Sequence, residues 1–185
     1  MRVALPVCCI LAAGCARDPA EQVCPELGAG DLVVTEVRGN QTGNDLLKPY
    51  VELFNASGHE VDLLGTKVRF RKKDGSGEVP ILVRRTVTVP TGGYVVLGLE
   101  DDADRSPYVD YGFAADFQQG FLSAAFVDVE TCSQLVDRMQ YDSLPKTGSY
   151  SLGTMPPSAD ANDLPTSWCT DPSMGSPQQA NVACP

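Results

Sequence analysis

From Asp31 onward, short runs of β-forming residues alternate with turn clusters, and this punctuation limits the possible folds more than any other feature of the chain. Strands are expected at Leu32–Arg38, Tyr50–Asn55, Val61–Leu64, Thr66–Lys72, Val79–Val89 with an internal break, Tyr94–Leu99, Ala124–Val129, Gln134–Tyr141 and Ser149–Leu152. The breaks carry turn chemistry: Asn55-Ala56-Ser57-Gly58, Asp74-Gly75-Ser76-Gly77 and Pro90-Thr91-Gly92-Gly93. The helical period of 3.6 is nowhere clean, so helical crossovers between parallel strands are excluded and an all-β sandwich is expected. With 185 residues the chain holds one ordinary domain plus a tail. The proline-rich stretch from Gly153 to Pro185 reads as an irregular segment strapped to the sandwich by Trp168 and cysteines.

The N-terminus carries an address. Met1-Arg2 precedes an apolar run from Val3 to Ala13, too short for the roughly 20 residues that cross a bilayer, so residues 1–14 read as a signal peptide. Leu11-Ala12-Ala13-Gly14-Cys15 resembles a bacterial lipobox, with Ala12 where Leu is usual. The resemblance implies cleavage before Cys15 and acylation of its thiol. Two acyl chains anchor stably where one does not. Ala16 after the cysteine is similar to the outer-membrane sorting preference, so the expected location is the bacterial cell envelope, as an outer-membrane lipoprotein. Residues 15–30 would then be the lipidated cysteine and a tether, with no packed structure before Cys24, and 31–185 the sandwich.

Signal removal and lipidation leave Cys24, Cys132, Cys169 and Cys184. An even number in an exported chain points to two disulfides with three possible connectivities. The favoured pairing is Cys24 with Cys184, tying the ends, and Cys132 with Cys169. Zinc is disfavoured because no pair has CxxC spacing and no histidine is near.

Charge supplies two candidate binding surfaces. The whole chain carries −10, which disfavours polyanion binding except through a local patch. Such a patch exists: Lys67, Arg69 and Arg71 alternate with Val68 and Phe70, placing the cations on one strand face, and Lys72, Lys73, Arg84 and Arg85 extend it. Against Asp74 and Glu78, these seven cations leave a local balance of +5. They could contact phosphate or carboxylate groups of a polysaccharide, a glycolipid or DNA, or simply protect an edge hairpin from aggregation. Opposite in sign, Glu100, Asp101, Asp102, Asp104, Asp110 and Asp116 cluster around Arg105. Asp101, Asp102 and Asp104 are candidate ligands for Ca²⁺, the one cofactor considered, although the loop lacks EF-hand spacing. Asp160-Ala161-Asn162-Asp163 is a weaker acidic candidate.

Catalytic constellations are scarce. A single histidine, His59, removes every site needing two imidazoles, and it sits in a turn where exposure is the default. Glu36 and Glu52 lie in predicted strands and invite reading as paired carboxylates. Glu52 shares its face with Tyr50 and Phe54, which argues for a semi-buried structural carboxylate held by turn amides. No enzymatic activity is expected.

Several segments together carry a family resemblance. Leu32–Val37, then Tyr50–Asn55 and Val61–Gly65, look like the opening of a lamin-tail domain. Thr86–Leu97 is similar to that family's mid-domain strand, turn and strand. Leu135–Tyr141, Gly148–Leu152, Trp168 and Ser176–Asn181 resemble its closing elements, in order. Two departures stand out: Pro177 is followed by Gln178 where family members have glycine, and Lys48-Pro49 replaces a frequent acidic residue. The resemblance implies an immunoglobulin-like β-sandwich and a non-catalytic attachment module. Its expected partners are the membrane, through Cys15, and an envelope protein or polysaccharide. No small-molecule substrate is expected, and nucleic acid is disfavoured. Anionic-polymer binding by the 67–85 hairpin is the alternative.

Overall fold

A computed structural model describes residues 23–42, 47–116, 120–132 and 134–185. The expected signal peptide and the lipidation site Cys15 lie outside the described residues. The chain is all-β. Its strands are β1 (Leu32–Arg38), β2 (Tyr50–Asn55), β3 (Val61–Asp62), β4 (Lys67–Arg71), β5 (Glu78–Leu82), β6 (Thr88–Val89), β7 (Tyr94–Gly98), β8 (Tyr111–Gly112), β9 (Ala125–Thr131), β10 (Gln134–Tyr141), β11 (Ser149–Leu152) and β12 (Trp168–Asp171). One short helix, α1 (Ala159–Asn162), and a 3-10 turn at Pro165–Ser167 interrupt the C-terminal segment.

The strands build a six-stranded sheet in the order β12-β11-β1-β2-β7-β8, a four-stranded sheet β10-β9-β4-β5, and a two-stranded β3-β6 ribbon. One continuous apolar core joins the two larger sheets, through Val51, Leu53 and Leu97 on one side and Val68, Phe70, Val127 and Met139 on the other. The alternation in β4 works as its sequence demands: Val68 and Phe70 are buried, while Lys67, Arg69 and Arg71 are half-buried on the opposite face. β1 instead is buried at all seven positions. Its second face lies under the C-terminal segment, whose amides reach the Glu36 and Glu52 side chains on that face.

β1 pairs with β11 only around Glu36 and Val37, so the start of β1 needs other partners. The Val34 amide donates to Asp137 Oδ2 (2.8 Å), and Asn162 Nδ2 donates to the Val34 carbonyl (3.3 Å) and to Asp137 Oδ2 (2.6 Å). Side chains from β10 and α1 thereby replace a missing neighbouring strand, as buried backbone groups require.

Four strands have the boundaries the sequence predicts: β1, β2, β10 and β11. The run at 79–89 breaks into β5 and β6, because Val83–Val87 turns between the four-stranded sheet and the ribbon. The tether is shorter than expected. Leu27 is already buried and the Gly30 amide donates to the Val136 carbonyl, so packing begins before Asp31.

The disulfides join the four expected cysteines in a different pairing: Cys24 with Cys132 and Cys169 with Cys184. Packing explains the correction. The Leu27–Gly30 stretch runs beside β10 and delivers Cys24 to the β9–β10 turn, where Cys132 sits. Cys169 belongs to β12, and Cys184 returns along β11, its sulfur near the Ser151 and Ser167 carbonyls. Cys184 thus ends beside Cys169 rather than beside the N-terminal segment.

Candidate functional site

The strongest concentration of ionisable chemistry is on the outer face of the six-stranded sheet. Glu36 and Glu52 are direct register partners on β1 and β2, beside a bulge between Val34 and Glu36 that inserts Thr35. Both are fully buried. Glu36 Oε2 accepts from the Tyr50 hydroxyl (2.7 Å), and Glu36 Oε1 accepts from Ser149 Oγ and Ser151 Oγ. The Ser176 amide approaches both oxygens at 3.4 Å. Glu52 Oε1 lies 2.9 Å from Thr35 Oγ1, and Glu52 Oε2 accepts from the Gln178 amide at 2.7 Å. Burial, and then the Glu36 charge, push the Glu52 carboxyl well above the usual carboxylate range, against the hydrogen bonds from Thr35 and Gln178. Burial followed by the Glu36 charge also raises the Tyr50 phenol. The turn amide predicted to hold Glu52 exists. Its burial is complete rather than partial because the 172–182 segment covers the pair.

The cation stripe forms where the sequence places it, but it is not a free basic patch. Arg69 pairs with Glu78 (3.1 Å) and with Glu130, and Arg71 pairs with Asp128 (2.6 Å). Lys73 meets Asp142, Arg84 meets Asp116, and Arg85 meets Asp102. Arg138, across on β10, also contacts Asp128 (2.6 Å) and lies over the Phe126 ring. Five of the seven candidate cations are thus ion-paired among the described residues, the exceptions being Lys67 and Lys72. Apart from Glu78 on β5, the acids come from β9 and from later loops, which sequence-local charge counting cannot see. β4 is also an inner strand, so the edge on the hairpin's side of this sheet is β5, which carries Glu78 and Pro80.

The acidic loop is similarly occupied by internal bonds. Asp102 receives Arg85 at 2.6 and 2.8 Å and the Gly112 amide at 2.8 Å. These donors, Arg85 first, hold its carboxyl below the usual range. Glu100 accepts from Ser106 and Tyr108, and Asp101 accepts from the Ala103 amide. Asp110 accepts from the Val96 amide, and Asp116 from the Leu82 amide. Among the described residues no group of three acids, cysteines or histidines is arranged to hold a metal ion. The proposed Asp101, Asp102 and Asp104 ligand set therefore does not converge: Asp102 is turned to Arg85 and Asp101 to its own turn.

His59 is exposed in the turn, its Nδ1 3.2 Å from the Ser57 carbonyl. Asp160 and Asp163 line an open cleft of about 470 Å³ between β10 and α1, together with Leu135, Arg138 and Ser158. Beside it, Asp137 is a residue the sequence reading did not single out. Burial raises its carboxyl to about 6 against the Val34 and Asn162 hydrogen bonds. A lone aspartate in a strand gives no sequence signal for this, because the groups it serves come from β1 and α1.

No family model matches the chain, and no curated protein is similar to it.

Proposed function

We propose that the protein is a lipid-anchored envelope module of the lamin-tail, immunoglobulin-like kind, non-catalytic, with a structural, adhesive or protein-binding role. The observation that carries this reading is that the charged side chains suited to a substrate or a polymer are engaged within the fold. Glu36 and Glu52 hold the C-terminal segment. The cations of the hairpin meet acids of β9 and the loops. What such a molecule offers to a partner is a rigid, doubly cross-linked sandwich and its loops. Anchoring rests on Cys15, which stands nine positions before Cys24, the first cross-linked residue.

The reading is tested by co-purification from native envelopes, comparing the lipidated protein with a soluble Cys15→Ala form across a salt series. The expected result is membrane association of the first form alone, and a protein partner retained by both above 200 mM salt. Loss of all partners between roughly 50 and 200 mM would instead mark ionic polymer binding. An untreated protein that stays soluble would remove the lipid anchor from the reading.

A further inference from the structure

The segment from Pro172 to Val182 crosses the six-stranded sheet above Glu36 and Glu52. It carries no ionisable side chain, and Asn181 is its only buried residue, whereas Met174 and Val182 are 57% and 70% exposed. Hydrophobic burial therefore contributes little to holding it down. Its attachments are polar: the Ser176 amide to Glu36, the Gln178 amide to Glu52, Gln178 Nε2 to Asp110 (3.0 Å), and Asn181 Nδ2 to the Thr35 and Leu152 carbonyls. Beyond it, the Cys169–Cys184 disulfide fixes the chain end.

We propose that a proton held on Glu52 beside Glu36 latches the 172–182 segment, and that its loss to water as the pH rises lifts the segment while Cys169–Cys184 keeps it tethered. The donor distribution places the proton. Tyr50, Ser149, Ser151 and the Ser176 amide converge on Glu36, an arrangement suited to a charged carboxylate. At Glu52 the Thr35 hydroxyl lies 2.9 Å from Oε1 and 3.4 Å from the Glu52 carbonyl oxygen. Thr35 Oγ1 can accept from a protonated Glu52 while donating to that carbonyl.

The charged and titratable groups around the Glu36, Glu52 and Tyr50 cluster are Arg38 on β1, which acts on Tyr50, Tyr94 on β7 and Asp110 before β8; the covering segment adds none. Removing the Glu52 proton places its charge beside Glu36, with Asp110 close behind. Like charges in a site closed to water cannot both stay ionised without cost. Lifting the segment admits water to both. Tyr50, Ser149 and Ser151 would line the uncovered face.

Amide hydrogen exchange of the disulfide-intact protein tests this, with protection factors corrected for the intrinsic pH dependence of exchange. One proton held in the closed form and released in the open form makes opening about tenfold easier per pH unit. As the pH rises, protection at Ser176 and Gln178 is expected to fall by about that factor per unit for as long as the closed form keeps the proton, and to stay well below protection at Val127 and Val129 in β9, whose exchange follows global unfolding and carries the same linkage. In Glu52→Gln the fall should vanish, since the neutral amide keeps an acceptor for Gln178. Constant protection in the natural protein, protection at Ser176 and Gln178 as high as at Val127 and Val129, or an unchanged fall in Glu52→Gln would each overturn the proposal. Should Glu52→Gln not fold, Glu36→Gln takes its place, and the comparison within the natural protein decides by itself.

Discussion

At the scale of single residues, Asp137 makes a testable statement about pH. Its folded-state value of about 6 lies above the ordinary 3.8, so the folded protein keeps this proton longer than the unfolded chain does. The stability linked to that proton is complete below about pH 4 and is lost as the pH rises through about 6, an effect of about 3 kcal/mol. Glu52, also raised, acts in the same direction. Asp102, held low by Arg85, acts in the opposite direction, and its contribution disappears only in strong acid. The melting temperature is therefore expected to peak near pH 4 and to fall as the pH rises through about 6. Asp137→Asn should flatten part of that decline in calorimetry, and a maximum above pH 7 would contradict the assignment. Gln178 supplies a second residue-scale prediction. Its φ of 64° is left-handed, a conformation that glycine adopts without strain. Gln178→Gly should stabilise the fold by about 1 kcal/mol in denaturant titration, reduced by loss of the exposed bond to Asp110. The lamin-tail resemblance marks the position, since Gln178 follows Pro177 where that family has glycine. Its conformation was not legible in the sequence, because the covering path of the segment depends on Glu52.

At the scale of elements, β12 and its neighbours carry the predictions. Trp168 is buried, stacks on Tyr150 at 5.0 Å, and donates from Nε1 to the Asn162 carbonyl at 2.8 Å. It therefore holds both β11 and the α1 turn. Trp168→Ala should cost about 3–5 kcal/mol and lower the melting temperature by roughly 6–15 °C. An unchanged melt would detach the C-terminal segment from the core. Peptide mapping without reduction should find Cys24 joined to Cys132 and Cys169 joined to Cys184, with no free thiol among these four. Any other connectivity would refute the packing described for both chain ends. These elements also mark the limit of what the sequence made legible. Long strands with period-two or continuous apolar patterns, such as Leu32–Arg38 and Gln134–Tyr141, could be read from local pattern. β8 is two residues long and pairs in parallel with β7, and β12 sits among prolines; neither has a local signature. The sequence also placed Lys67, Arg69 and Arg71 on one face, but not the acids Asp128 and Glu130 that pair with two of them, because β9 lies about 60 positions away. The disulfide pairing was misread for the same reason: connectivity follows from which strand ends meet in space.

At the scale of the whole molecule, the Cys24–Cys132 bond would give the sandwich a direction under the proposed lipid anchor at Cys15. Cys132 lies at the β9–β10 turn, and the Gly30 amide beside Val136 places the start of β1 at that same end. β1 then runs away from it. Arg38 pairs with Tyr50, and Tyr50 pairs with Gly98, so the 100–110 acidic loop, which follows Gly98, stands at the opposite end. Seven residues of β1 cover roughly 20 Å, and the chain between Cys15 and Cys24 reaches at most about 30 Å. Under the proposed anchor, every orientation of the sandwich starts from the Cys24 end. A label at exposed Gln134 should therefore be quenched more strongly by lipid-borne quencher in vesicles than one at exposed Asp104. The Cys15→Ala form should show quenching at neither site. Equal quenching of both labels in the lipidated protein would mean that the sandwich lies along the bilayer, so that its side and not its far loops would meet a partner. Failure of the lipidated form to bind vesicles at all would count against the anchor and leave the described fold intact.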